Sequence, residues 1–386
     1  MAKSYLSKRV AELKPSGIRK FFDIADTMKE VISLGIGEPD FDSPQPIIDA
    51  GIRSLRENQT HYTANRGILP LRRALSEHLE NLYGVSYNPE DEIVMTVGGS
   101  EALVMAFTAV LDPSDEIILP TPGFVSYQGV ISLAGGVCVE VPSRMENAFM
   151  PDPAELEKAV TPKTKAILIN FPCNPTGAIA DRETLVAIGK IAEKFDLVVI
   201  SDEIYDRLVY GVEHICFSSL PGMSERTILV GGFSKDYAMT GWRIGFACAP
   251  RDLLEGMARV HQYIIMTAPT MAQFGALEGL TCCEDFVQKM QKEYNRRRVL
   301  IVEGLNYIGL PTFEPKGAFY AFPKVSVTGL DDTIFADRLL HEKHVAVVPG
   351  SAFGSGGEGF VRCSYATSFD QIEEALDRID NFVKSL

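Results

Sequence analysis

The chain has 386 residues and no run of apolar residues near the length of a membrane span, so no membrane-spanning helix is expected. Its start, Met1 to Val10, carries Lys3, Lys8 and Arg9 but neither an apolar core nor a small-residue cleavage site. It does not read as a signal peptide. Six histidines show no H-E-x-x-H and no clustered spacing, which leaves a metal site without support. The seven cysteines are an odd number and form no C-x-x-C, and the adjacent Cys282 and Cys283 could pair only with strain. Reduced thiols and a cytoplasmic location are expected. Positive charge is also short: the net charge is −14, so no broad nucleic-acid surface is expected and any anion site must be a local basic cluster. There is no G-K-[ST] phosphate loop. The one G-x-G-x-x-G, at Gly354, Gly356 and Gly359, precedes a strand-like run rather than a helix. A dinucleotide site needs the helix, so this stretch reads as a flexible loop. Repeats and low-complexity tracts are absent as well.

What is present is a globular composition, 46% hydrophobic, with a regular alternation. Apolar runs at Ile93–Val97, Glu116–Leu119, Lys165–Phe171, Leu197–Ile200, Thr227–Val230 and Ile244–Ala249 are separated by helical or loop segments. Short, nearly continuous apolar strands between helices predict an α/β fold with a parallel sheet covered on both faces. Before it, residues 1–32 read as a helical arm, broken at Pro15-Ser16-Gly17, with a short amphipathic helix at Ile18–Met28. A strand at Ile32–Ile36 and helices at Pro46–Asn58 and Leu69–Tyr83 follow. Beyond residue 250, helical pattern runs from Arg251 to Glu278 with a break at Pro269, and a long charged helix from Glu284 to Leu305 presents Arg296-Arg297-Arg298 as a solvated face. Strands at Ala318–Lys324, Val345–Val348 and Phe360–Ser364, with helices at Asp332–Glu342 and Ser368–Lys384, predict an α+β C-terminal region. The expected division is an arm and part of a small domain in residues 1–45, a large α/β domain in residues 46–283, and a small α+β domain in residues 284–386.

The stretch that organises the rest is Gly231-Gly232-Phe233-Ser234-Lys235-Asp236-Tyr237-Ala238-Met239-Thr240-Gly241-Trp242-Arg243-Ile244-Gly245. It leaves an apolar strand, so Lys235 should emerge at a carboxyl strand end, where open α/β sheets bind ligands. A desolvated lysine amine loses its proton more readily and can attack a carbonyl. Ser234 and Arg243 offer the hydroxyl and cation that a phosphate needs. The segment Gly98-Gly99-Ser100-Glu101-Ala102 joins another strand to a helix, predicted over Ala102–Leu111, whose first N–H groups suit an anion. Other strand ends carry Phe124, Asn170 to Gly177 with Asn174, and Ser201-Asp202-Glu203-Ile204-Tyr205. Asp202 could cap a helix starting there. Tyr205, three residues on, could approach a ligand from the same side. Gly98-x-Ser100-x-Ala102, with Asp202 and His341 or His344 following, nearly matches a serine-hydrolase elbow, although Ala102 replaces its last glycine.

The lysine stretch closely resembles the pyridoxal-phosphate motif of class I/II aminotransferases, and the resemblance runs over nearly the whole chain. It implies a fold type I pyridoxal-phosphate transferase, with a mostly parallel seven-stranded sheet and a smaller α+β domain. It implies that Lys235 is covalently joined to pyridoxal 5'-phosphate, that Asp202 meets the ring nitrogen, and that Tyr205 and Asn174 meet the phenolate oxygen. Phe124 would stack on the ring. Gly99, Ser100, Ser234 and Arg243 would hold the phosphate, with Tyr62 reaching across a homodimer interface from the sequence His61-Tyr62-Thr63-Ala64-Asn65-Arg66-Gly67. Gly37, in the turn Gly37-Glu38-Pro39-Asp40-Phe41, would lie beside the substrate carboxylate with Asn174. Arg362, in Gly359-Phe360-Val361-Arg362-Cys363-Ser364-Tyr365, would clamp that carboxylate. Aspartate-type relatives carry a lysine where Ser100 stands. Its absence, with Phe124, Ile18 and Ile36 as an apolar wall, implies a neutral donor, alanine-type or aromatic, and 2-oxoglutarate as acceptor. An aspartate aminotransferase or a C–S lyase on the same fold are the alternatives.

Overall fold

The computed structural model describes residues 5–11, 13, 28 and 30–386. Ile18, the break at residues 15–17 and most of the expected helix 18–28 lie outside these. Lys8–Ala11 is a short helix. The strand expected at Ile32–Ile36 is reduced to β1 (Ile32–Ser33), and Ile36 is exposed.

The large sheet contains β2 (Ile93–Thr96), β3 (Glu116–Thr121), β4 (Val137–Pro142), β5 (Thr164–Asn170), β6 (Val198–Asp202), β7 (Thr227–Gly232) and β8 (Gly245–Cys248), in the order β2-β8-β7-β6-β5-β3-β4. Six of these coincide with the apolar runs. The seventh, β4, has no such run because it is an edge strand with Val137 and Pro142 exposed, so one side of it is solvated. β8 runs antiparallel to both neighbours. Between β7 and β8 there is a short 3-10 turn at Thr240–Trp242 but no crossover helix, and a parallel return would require one.

The register explains where the site forms. Asn170 pairs with Asp202, Asp202 with Val230, Gly232 with Gly245, and Gly245 with Thr96. The carboxyl ends of β2, β5, β6 and β7 therefore share one edge, and the antiparallel β8 begins there. Helices Gly98–Val110 and Arg251–Ile264 pack on one face, where Ala102, Phe107, Leu254 and Met257 meet the strand residues Ile228 and Ala247. On the other face Leu185, Ile188 and Ala192 of helix Arg182–Lys194 meet Ile167 and Val199.

Helix Leu69–Tyr83 lies where its pattern predicts. The helical pattern after residue 250 splits into Arg251–Ile264 and Thr270–Cys282, with Pro269 between them. Glu284–Ile308 is one helix, but its arginine trio is not a solvated face. Arg297 is 6% exposed and Arg298 8%. Arg297 Nη1 pairs with Asp40 at 2.8 Å and Arg298 Nη1 with Glu314 at 2.8 Å, and these partners make the burial tolerable. Only Arg296 stays on the exposed side.

In the C-terminal region, β9 (Tyr320–Ala321), β10 (Val345–Ala346), β11 (Val348–Pro349) and β12 (Val361–Ser364) replace the three longer expected strands. β11, β12 and β9 form an antiparallel sheet, and β10 pairs with β1. Pro323 lacks the N–H to continue β9, which gives way to isolated bridges at Pro323 and Lys324. Helices Asp332–Lys343 and Phe369–Val383 complete the region. Gly354, Gly356 and Gly359 all have positive φ and lie in the loop leading to β12, not at a helix start.

Candidate active site

A cavity of about 380 Å³ opens at the shared strand edge. Gly37, Gly99, Ser100, Phe124, Asn174, Asp202, Tyr205, Ser234, Lys235, Arg243 and Arg362 all line it. Of the residues expected to hold the cofactor or the substrate carboxylate, Tyr62 alone does not. It is 79% exposed, on the surface of this chain.

Lys235 lies just past the end of β7, after Phe233 and Ser234, and its Nζ donates to the Gly37 carbonyl at 2.6 Å. Loss of solvent around the amine brings its pKa down to about 8, with Glu38 opposing and Arg362 and Arg243 assisting the shift. A larger share of neutral, nucleophilic amine is thus available near neutral pH than for a surface lysine.

Asp202 ends β6 and is 5% exposed. Its Oδ2 accepts from the Tyr127 hydroxyl at 2.7 Å, and its Oδ1 accepts from the Ile204 N–H at 3.2 Å. No helix follows it, only a turn, so the capping reading falls away. Burial raises its pKa to about 6, against the lowering effect of those two hydrogen bonds and of Lys235. A buried carboxylate of this kind is stabilised by an opposing cation on a ligand.

Asn170, Asn174 and Arg362 form a second set. Asn170 Nδ2 donates to the Asp202 carbonyl at 2.9 Å, and its Oδ1 accepts from the Asn174 N–H at 3.0 Å. Asn174 Oδ1 accepts from Arg362 Nη1 at 2.8 Å, and Arg362 Nη2 donates to the Gly35 carbonyl at 2.6 Å. Arg362 is 3% exposed, its Nε is buried without a partner, and no carboxylate pairs with it among the described residues. A guanidinium held this way, with donor capacity left over, suits a carboxylate.

The third set is an anion cradle. Helix Gly98–Val110 begins at Gly98, four residues before its expected start, so Gly99 and Ser100 lie in its first turn. Their N–H groups belong to the helix N-terminus, which favours negative charge. Gly98 has a φ of +72°, and a Cβ there would lie 2.8 Å from Arg243 Nη2. Glycine thus lets the guanidinium come against the helix start. Arg243 is itself left-handed and donates to the Thr240 carbonyl at 2.9 Å. Ser234 completes the cradle.

The cavity also contains residues that sequence reading did not single out. Tyr127 holds Asp202, Asn170 braces Asn174, and Tyr320 contacts both Tyr205 and Arg362. Tyr127 falls within the quoted segment Pro120 to Tyr127, and Asn170 opens the quoted segment ending at Gly177, so proximity was the available signal. Tyr320 lies far from the other motifs in sequence, within an ordinary apolar strand pattern. Ile36, expected on the wall, does not line the cavity. His341 is exposed and bonded to the Asp337 carbonyl, and neither it nor His344 lines the cavity with Ser100. The serine-hydrolase arrangement is therefore absent.

The family model for aminotransferase class I and II matches residues 29–379. The chain belongs to this family. It is 51% identical over 380 residues to YugH of Bacillus subtilis (strain 168), a protein with an inferred aminotransferase activity, with 98% of each chain covered. It is 47% identical over 382 residues to the aspartate aminotransferase of Pyrococcus abyssi (strain GE5 / Orsay), again covering 98% of each. It superposes on the crystal structure of an aromatic aminotransferase from Pyrococcus horikoshii OT3 with a TM-score of 0.91, at 45% identity, covering 95% of this chain and 99% of that one. The protein is thus an aminotransferase of fold type I that uses pyridoxal 5'-phosphate. Its cavity fits that group: an N-terminal helix cradle with an arginine for a phosphate, a buried carboxylate without a cation for a ring nitrogen, and a lysine of depressed pKa for an aldehyde.

Proposed function

We propose that the protein moves an amino group from a neutral amino acid, alanine-type or aromatic, to a 2-oxo acid, with 2-oxoglutarate as the acceptor. The observation that carries this is the inventory of cations around the cavity. Among the described lining residues these are Lys235, Arg243 and Arg362. In this reading Lys235 serves the cofactor aldehyde, Arg243 its phosphate and Arg362 the substrate α-carboxylate. No lining cation remains for a short acidic side chain, and Ser100 offers only a hydroxyl. Phe124 supplies apolar wall.

In this reading Asp202 would meet the ring nitrogen, Phe124 would stack on the ring, and Asn174 and Tyr205 would donate to the phenolate oxygen. Gly99, Ser100, Ser234 and Arg243 hold the phosphate, joined by Tyr62 of the partner subunit. When bound, the cofactor supplies a ring that withdraws electrons from the substrate Cα. Arg362, steadied by Asn174 and Gly35, orients the α-carboxylate beside Gly37. Lys235 Nζ, once free of the cofactor, would be the base that takes the proton from the substrate Cα and the acid that gives it back. A positioned base of this kind contributes roughly 10² to 10⁴ in rate. The oxo-acid product leaves before the second substrate binds, which gives ping-pong kinetics.

A homodimer is part of the proposal. Tyr62 is flanked by further exposed apolar residues: the loop carrying it bonds to the segment of Met266 through Asn65 Nδ2 at 2.8 Å, and Tyr263, Ile264 and Met266 are exposed. Such a patch is characteristic of an interaction surface. The division into residues 46–283 and 284–386, with residues 1–45 partly joined to the second, is supported by the separate sheets and by β1 pairing with β10. A cytoplasmic location is supported by seven free cysteines.

The aspartate reading draws support from the name of the Pyrococcus abyssi relative. Rates with alanine, phenylalanine, tyrosine and aspartate, each against 2-oxoglutarate, separate the two. A clear aspartate preference overturns the neutral-donor proposal, and release of thiol in place of a transferred amine would indicate a lyase.

A further inference from the structure

Tyr320 sits where the carboxylate clamp and the phenol of Tyr205 meet. Its hydroxyl oxygen lies 2.8 Å from that of Tyr205. Its ring lies under the Arg362 guanidinium, 4.5 Å from carbon to centroid. The side chain is 1% exposed and leaves no slack, because a Cβ on Gly37 would stand 2.3 Å from its hydroxyl oxygen. Its backbone is fixed as well. Tyr320 pairs with Ser364 in β12, the strand that carries Arg362.

The chemistry of two phenols in contact is restrictive. Each hydroxyl has one proton, and only one of the two can donate across the shared bond. If Tyr205 donates to Tyr320, it has no proton for an oxygen in the cavity. If Tyr320 donates, the Tyr205 proton is free to point into the cavity. An anionic oxygen there selects the second arrangement, and a chain of O–H donors polarises along its length. The other groups facing this pair are Arg362, Asp202 and Lys235, whose Nζ is 5.9 Å from the Tyr205 ring centroid. None of them donates a hydrogen bond to the Tyr205 oxygen.

We propose that Tyr320 is a positioning residue for both halves of the reaction: its hydroxyl donates to Tyr205, turning that phenol toward the cofactor, and its ring face holds the Arg362 guanidinium for the substrate carboxylate. This rests on the roles given above to Tyr205 and Arg362. Arg362 then has four constraints, from Asn174, Gly35, the Tyr320 ring and, at 5.0 Å, the Phe353 ring, with Nε left for the ligand.

The two functions separate in two variants of the holoenzyme. Tyr320→Phe keeps the ring and removes the hydroxyl. The pH midpoint of the cofactor's visible absorbance should move up by about half a unit or more, since a donor that favours the deprotonated linkage is weakened. KM for the amino acid should stay within about twofold, because the ring remains. Tyr320→Leu removes both, and should add a KM increase of about tenfold to the same shift. Tyr205→Phe serves as the reference. If it leaves the midpoint in place, the role given to Tyr205 is wrong, whatever Tyr320 does. If it moves the midpoint and Tyr320→Phe does not, the donation by Tyr320 is wrong. A wild-type KM in Tyr320→Leu overturns the part concerning Arg362.

Discussion

Tyr127, in helix Ser126–Leu133, donates its hydroxyl proton to Asp202 Oδ2 at 2.7 Å, where Asp202 ends β6. With Ile204 N–H on Oδ1, the carboxylate is fixed in direction but has no ion-pair partner among the described residues. Above a pKa of about 6 the protein therefore holds a buried negative charge that a cationic group on a ligand would offset.

The cofactor-free chain should therefore carry a stability penalty at Asp202. Its carboxyl has an ordinary value of 3.8 and is raised to about 6 in the folded chain. Between these values the folded state binds more protons than the unfolded one, so stability falls as pH rises through the window, by about 3 kcal/mol in all. Asp202→Asn in the cofactor-free protein should melt a few degrees above wild type at pH 7.5 and show no advantage near pH 4, while the holoenzyme variant loses transamination. Thermal denaturation at the two pH values checks this, and an advantage independent of pH would count against it.

Arg362→Lys should raise KM for the amino acid about 30-fold while affecting kcat less. A lysine keeps the charge but lacks the planar fork and the stacking surface of Tyr320. Steady-state kinetics with one donor at fixed 2-oxoglutarate measures both constants. An unchanged KM would remove Arg362 from the carboxylate site.

At pH 7.5, roughly one in four Lys235 amines should be neutral in the cofactor-free chain, given a value of about 8. An ordinary lysine at 10.5 has about one in a thousand. A small acylating reagent used in limiting amount should label Lys235 first, as read by peptide mass spectrometry. Labelling no faster than that of exposed lysines would contradict the desolvated environment.

Light scattering should give a particle of twice the 42.4 kDa chain mass. Ile264→Asp places a charge in the exposed apolar patch and should yield monomers with weakened cofactor affinity, because Tyr62 would no longer be supplied across the interface. Tyr62→Phe should keep the dimer and weaken cofactor affinity about tenfold, the cost of one charge-assisted hydrogen bond. A monomeric wild type with full cofactor affinity would rule out the shared site.

The sheet was legible because β2, β3, β5, β6, β7 and β8 are buried on both faces and so leave unbroken apolar runs. The edge strand β4, half solvated, leaves none. Direction was less legible: nothing in the run Ile244–Ala249 distinguishes a parallel from an antiparallel strand. Lys235, Asp202, Asn174 and Arg243 could be located because each lies within a few residues of a strand end. Tyr320 could not, since its role depends on β9 pairing with β12, a contact between segments that are remote in sequence. The arginine trio misled for a similar reason. Its partners Asp40 and Glu314 come from outside the helix, so periodicity within the helix could not reveal their burial.

The proposed link between Lys235 and the cofactor can be trapped directly. Reducing the purified holoenzyme with borohydride fixes the linkage as a stable secondary amine, and peptide mapping then locates it. The added mass of a pyridoxyl phosphate group is expected on the peptide bearing Lys235 and on no other. Finding it on a different lysine, or on none, would contradict the account.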